Sequence, residues 1–234
     1  MRLSDHSIFD KWPDEWPSQE NHVIPHDVTF QQYAELRDLL ADRAGEREIE
    51  DYLSRNREAL AMIVWMFPTG HHMSWIFPKP PMRPSVGDAG GLVPDYLLAG
   101  ANSFGVQYYI LELKGSDKSA FVREGKRISL SLHANRGVCQ LLNYLDFGSR
   151  DQAYLRDTHA FKQFREPTGV LLIGRDDEED DPQVRDFKSA WNRFNPRLLI
   201  RSYDALLRTM AGKLTDMGRF PASAGTIDPI RAPE

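Results

Sequence analysis

The stretch TGVLLIGR, Thr168 to Arg175, constrains the fold of this chain more than any other. It is apolar without alternation, whereas a strand with one wet face alternates, so the run belongs inside a sheet covered on both faces. Covering both faces takes helices, and the remaining sequence supplies them. Phe30 to Ala44 places Tyr33, Leu36, Leu39 and Leu40 at helical spacing, with Gly45 as a breaker. A second helix runs from Glu46 to Phe67, with Ile49, Leu53 and Leu60 on one stripe and Pro68 ending it. The period then changes to short apolar runs bounded by Gly and Pro. SWIFPK (Ser74 to Lys79) reads as a strand, PPMRPSVGDAGG as a loop, LVPDYLLAG (Leu92 to Gly100) as a second strand and GVQYYILELK (Gly105 to Lys114) as a third. ANSF joins the last two as a tight hairpin turn.

HANRGVCQLLNYLDFGS is a helix whose apolar face includes Val138, Leu141, Leu142 and Leu145. After TGVLLIGR the acidic DDEEDD, Asp176 to Asp181, is a solvated loop. Asp181 then caps a helix that has Pro182 in its first turn and runs to about Phe194. PRLLIRSY is a last strand, followed by the short helix DALLRTMAGKL, which Asp204 is placed to cap. The expectation is an α/β fold, a mixed sheet flanked by helices.

With 234 residues the chain can bury one sizeable core. Residues 1 to about 27 are rich in Pro, Trp and polar groups and read as an extended arm that packs by its tryptophans. The expected divisions are an arm and helix over 1–44, one domain over 45–214 and a loose tail over 215–234. The longest apolar run, ALAMIVWMF, falls short of the ~20 residues that cross a bilayer, so no membrane span is expected. No secretory signal is evident at the start. A single cysteine, Cys139, excludes an intrachain disulfide and fits a reducing cytoplasm; it reads as a small buried helix residue. A net charge of −5 does not suggest binding of nucleic acid by bulk charge, so any such binding needs a local basic face.

Chemistry gathers at the end of YYILELK. Side chains alternate along a strand, so Glu112 and Lys114 share one face while Leu111 and Leu113 point into the core. Antiparallel pairing sets the start of the preceding strand beside this end, which brings Asp95 to the same spot. Two carboxylates and an ammonium then converge, and a divalent cation held by Asp95 and Glu112 would compensate them. Hard oxygen donors without His or Cys suit magnesium or manganese. The fitting chemistry is metal-assisted phosphodiester hydrolysis. Glu-x-Lys alone also describes an exposed pair where a strand leaves its sheet; the Pro-Asp before it makes the pattern more specific.

VPDYLL and YILELK resemble the core of the PD-(D/E)XK nucleases. More narrowly, EREIEDYLSRNREAL, GLVPDYLL, LELKG, QLLNY, GVLLIGR and SYDALL are similar to the nuclease domain of the Shedu anti-phage defence proteins, over roughly Glu46 to Leu207. The resemblance implies a restriction-endonuclease-like core in which Asp95 and Glu112 ligate Mg2+ or Mn2+ and Lys114 is catalytic. It also implies a further acid from the preceding helix. Glu46 is the first choice and Glu50 the reserve, four residues apart on one stripe, while Glu48 points away. Gln140 and Tyr144 share a face of the next helix, where a glutamine can hold a water, a phosphate or the catalytic acid.

From Gly115 to Arg136, the basic residues Lys118, Arg123, Lys126, Arg127 and Arg136 outweigh Asp117 and Glu124, a local charge of +3. This stretch is either a phosphate-contacting edge, which Tyr144 would join, or a solvated loop. Adjacent His71 and His72 point opposite ways in a strand and do not form a chelating pair. The expected function is a Mg2+- or Mn2+-dependent DNA endonuclease of bacterial anti-phage defence, cytoplasmic and a homo-oligomer, with the tryptophan-rich arm as a subunit contact. A repair or junction-resolving nuclease, or an inactive DNA- or protein-binding module on the same core, are the alternatives.

Overall fold

A computed structural model of the chain describes residues 12–55, 57–67, 73–83, 91–159, 161–176 and 181–221. Its strands are β1 (His22–Val23), β2 (Met73–Pro78), β3 (Tyr96–Asn102), β4 (Gly105–Leu113), β5 (Phe121–Glu124), β6 (Arg127–Leu130), β7 (Thr168–Leu172) and β8 (Leu198–Arg201). Its helices are α1 (Phe30–Ala41), α2 (Glu46–Arg55), α3 (Arg57–Ala61), α4 (Leu132–Arg150), α5 (Gln152–Thr158), α6 (Pro182–Phe194) and α7 (Tyr203–Asp216). Six strands form one mixed sheet in the order β1-β2-β3-β4-β7-β8, antiparallel up to β4 and parallel from β4 through β7 to β8. This is the expected α/β architecture, and it is compatible with a restriction-endonuclease-like core.

The apolar run is covered on both faces, as its composition requires. Val170 and Leu172 join one core with Leu36, Ile49, Ile63 and Met210; Leu171 and Ile173 join a second with Val138, Leu141 and Leu155. The first core lies under α1, α2, α3 and α7, the second under α4, α5 and α6. Each fully buried Leu or Ile contributes about 1.5–3 kcal/mol relative to exposure, so the two cores dominate the favourable side of folding.

Several local expectations hold. Asp181 accepts from the Gln183 N–H at the start of α6, with Pro182 in the first turn. Trp12 and Trp16 of the arm pack edge-to-face on Trp75 of β2, with ring centroids 6.2 and 5.7 Å apart. His71, His72, the glycines of VGDAG (86–90), residues 177–180 and the end of the tail (222–234) lie outside the described residues. No helix among the described residues is long and apolar enough to cross a membrane.

Four expectations are corrected. The single helix from Glu46 to Phe67 is α2, then α3, then a 3-10 turn over Met62–Met66. β-branched Ile63 and Val64 are poor helix formers, and the tighter turn keeps the run buried as it enters the core. Cys139 is exposed and Leu142 is 53% exposed. The buried stripe of α4 is narrow, Ala134, Gly137, Val138, Leu141, Tyr144 and Gly148, and positions 139 and 142 fall outside it. Ser202, not Asp204, caps α7, accepting from the Ala205 N–H; Asp204 instead pairs bidentately with Arg175 at 2.7–3.1 Å. The basic stretch read as a loop holds the separate hairpin β5–β6.

Candidate active site

The β3–β4 register pairs Tyr96 with Leu111, so one step further sets Asp95 opposite Glu112, at the end of the sheet's most buried hairpin. Asp95 is fixed from three sides. Its Oδ2 accepts from the Leu113 N–H at 2.7 Å, and its carbonyl accepts from the Lys79 N–H at 2.8 Å. Two residues upstream, the Val93 carbonyl accepts from the Tyr144 hydroxyl of α4 at 3.2 Å.

Lys114 is gripped by its backbone. Its N–H donates to the Leu172 carbonyl of β7 at 2.9 Å, and its carbonyl accepts from the buried Tyr203 hydroxyl at 2.8 Å. The segment after it turns back onto the start of α2. The Ser116 N–H and hydroxyl both donate to the Ala44 carbonyl at 2.9 Å. A Cβ on Gly115 would collide with the Asp117 carboxylate and crowd the Glu46 N–H, so glycine is what lets α2 approach this closely. Glu48, pointing away as expected, accepts from the Gly45 N–H at 2.8 Å.

That approach brings four carboxylates and two ammonium groups together. Lys114 Nζ lies 3.0 Å from Glu112 Oε1 and 3.3 Å from Glu46 Oε2. One turn along α2, Glu50 Oε2 meets Lys79 Nζ at 2.9 Å. Glu46, Glu50 and Asp95 each offer a carboxylate oxygen, and the three oxygens lie within 4.8 Å of one another. Glu112, only 2% exposed, keeps its Oε2 buried without a hydrogen-bond partner.

The electrostatics follow from this crowding. Burial, then the field of Glu112 and Glu50, pushes the Asp95 carboxyl from 3.8 up to about 7 against the pull of the Leu113 N–H and Lys114. Burial likewise raises Glu112, with Lys114 opposing it. Burial would lower Lys114, but Glu112, Glu46 and Asp95 together raise it, so it stays an ammonium within the cluster. Excess carboxylate charge and an orphaned buried Glu112 oxygen are what a divalent cation would relieve. Hard oxygen donors with no sulfur or imidazole among them fit magnesium or manganese.

The structure thus brings Asp95, Glu112, Lys114 and Glu46 together, and it sets Glu50, held in reserve on sequence, in the carboxylate triad beside Glu46 and Asp95. Gln140 sits beside the Tyr144 hydroxyl, near enough to act on its proton. Tyr144, expected on the DNA-contacting edge, is buried behind the site, where it steadies the approach to Asp95. Of the basic residues, Lys118 pairs with Asp117 at 2.6 Å and Arg123 with Asp181 at 2.5 Å. Lys126 and Arg127, around the β5–β6 turn, and Arg136 on α4 are exposed.

Sequence reasoning missed Lys79 and Tyr203. Lys79 was legible: β2 pairs antiparallel with β3, so the argument that joined Asp95 to Glu112 also places the end of SWIFPK beside Asp95. Tyr203 had no local signal, because its role depends on α7 closing over β4 and β7.

The family described as Shedu protein SduA, C-terminal, matches residues 43–207, which hold all of Glu46, Glu50, Asp95, Glu112 and Lys114. No curated protein matches the chain. By the extent of the family match, the chain belongs to the Shedu family.

Proposed function

We propose that the protein is a Mg2+- or Mn2+-dependent DNA endonuclease of the PD-(D/E)XK type, acting in bacterial anti-phage defence. The observation that carries the reading is Lys114, an ammonium set between Glu112 and Glu46 beside the oxygens of Glu50 and Asp95. Membership of the Shedu family supports the defence role.

In this reading Glu46, Glu50 and Asp95 would hold the cation, joined by the unpartnered oxygen of Glu112. When bound, the cation lowers the pKa of a water and stabilises charge on a phosphoryl oxygen. The chain's own groups do the rest. Lys114 presents a preorganised positive charge to the attacking water and the developing negative charge, an effect worth about 2.7–4 kcal/mol for one well-placed donor. Tyr203 and Leu172 fix the backbone that aims it, and the Leu113 N–H holds Asp95 in its place. A cluster this costly in electrostatic repulsion argues against a module without chemistry.

The test is incubation of the purified protein with supercoiled, linear, nicked and branched DNA in magnesium, manganese or chelator. Cleavage that requires the cation is expected, and the favoured form would separate a defence endonuclease from a repair or junction-resolving one. No cation-dependent cutting of any form sinks the proposal.

A further inference from the structure

Lys79 stands at the end of β2 with its backbone in the left-handed region, at φ 44°. Glycine adopts that conformation freely, whereas a side chain there costs about 1–2 kcal/mol, and Pro80 narrows the choices further. Strain of this kind persists where surrounding structure imposes it, and it gathers at functional sites. Here the Lys79 N–H is tied to the Asp95 carbonyl at 2.8 Å, so the strained residue is built into the wall of the carboxylate cluster.

The two lysines of the cluster differ in depth. The Lys114 side chain is 12% exposed and sits at the floor, whereas that of Lys79 is 58% exposed over a Glu50 that is 20% exposed. Lys79 therefore occupies the solvent side, the side from which a polyanion would arrive. Its partner is also shared: Glu50 belongs to the carboxylate triad, so a cation held there competes with Lys79 for the same carboxylate. A flexible four-carbon stem then leaves the ammonium at the rim with three donors to offer.

We infer that Lys79 is a second lysine of the active site, which exchanges Glu50 for a backbone phosphate of the DNA beside the cleavage point. The inference rests on the nuclease reading and adds a residue that binds the substrate. Lys79 pays for a strained backbone with a phosphate contact, and Lys114 with its buried charge remains the group at the reacting centre.

The experiment is equilibrium binding of a fluorescently labelled DNA duplex to the full chain in Ca2+ and in chelator, across a salt series. Wild type is compared with Lys79→Ala, Lys79→Gly and Lys79→Arg, and thermal unfolding is recorded for each. Loss of one phosphate contact lowers the slope of log affinity against log salt by ~0.9 and weakens binding about five- to tenfold, while Lys79→Arg keeps both. Lys79→Gly, relieved of strain, unfolds no earlier than wild type, so its binding defect is not a folding defect. If the Ala and Gly variants bind with wild-type slope and affinity, the inference is wrong. If wild-type protein binds no DNA in either condition, the nuclease reading falls and this inference with it.

Discussion

Asp95 makes the protein's stability depend on pH in a direction opposite to that of an ordinary paired carboxylate. Its carboxyl is raised from 3.8 to about 7 in the folded chain, so between these values the native state holds a proton that the unfolded chain has lost. The stability this contributes is fully present below about pH 4 and is lost as pH rises through about 7. A shift of that size corresponds to roughly 4 kcal/mol at most, and to less where Glu112 and Asp95 share the proton. In a chain of this length ~1 kcal/mol moves the melting temperature by about 2–4 °C, so an effect on the order of 5–10 °C is expected.

Asp95→Asn isolates it. The amide oxygen can still accept from the Leu113 N–H, and the group no longer ionises. The assay is thermal unfolding in chelator from pH 4.5 to 8.5. The variant and the wild type should melt closest together at the acid end, and the variant should melt progressively higher as pH rises. Adding Mn2+ at pH 8 should close much of that gap, raising the wild type by about 2.7 kcal/mol at a hundredfold excess over Kd and the variant much less. Parallel curves across the pH range would refute the claim that Asp95 is buried among like charges.

Two further perturbations test the scaffold around the site. Tyr203→Phe leaves the part-buried Lys114 carbonyl without its donor, so it should cost about 1–3 kcal/mol in denaturant unfolding and lower activity through a misaimed lysine. Gly174, at φ 70° and with no room for a Cβ beside the Lys118 carbonyl, should tolerate alanine poorly: a loss of at least ~2 kcal/mol is expected, readable as a lower urea midpoint at unchanged slope.

The sheet was legible where periodicity was strong. YYILELK and TGVLLIGR carry their burial in their patterns, and the antiparallel hairpin brought Asp95 to Glu112 by register alone. The site's second half was harder, because Glu50 and Lys79, 29 positions apart in sequence, meet through the placement of α2 against the end of β2. Elements that bury little stayed hidden. In β5 only Phe121 is buried, so charges mask its alternation, and β1 is a two-residue pairing with no pattern to read. Asp204 shows the limit of local chemistry: an acid at a helix start looks like a cap until Arg175 arrives from a different strand's end.

If Lys114 acts on DNA from within a cation-binding carboxylate cluster, Lys114→Ala loses cleavage while keeping DNA binding. The comparison is single-turnover cutting of plasmid by wild type and by the folded variant, in whichever of magnesium or manganese supports the wild type, with DNA affinity measured in Ca2+. A fall in rate of about 10²-fold or more with affinity held within a few-fold is the predicted result. A Lys114→Ala protein that cuts at the wild-type rate would show that Lys114 has no part in cleavage.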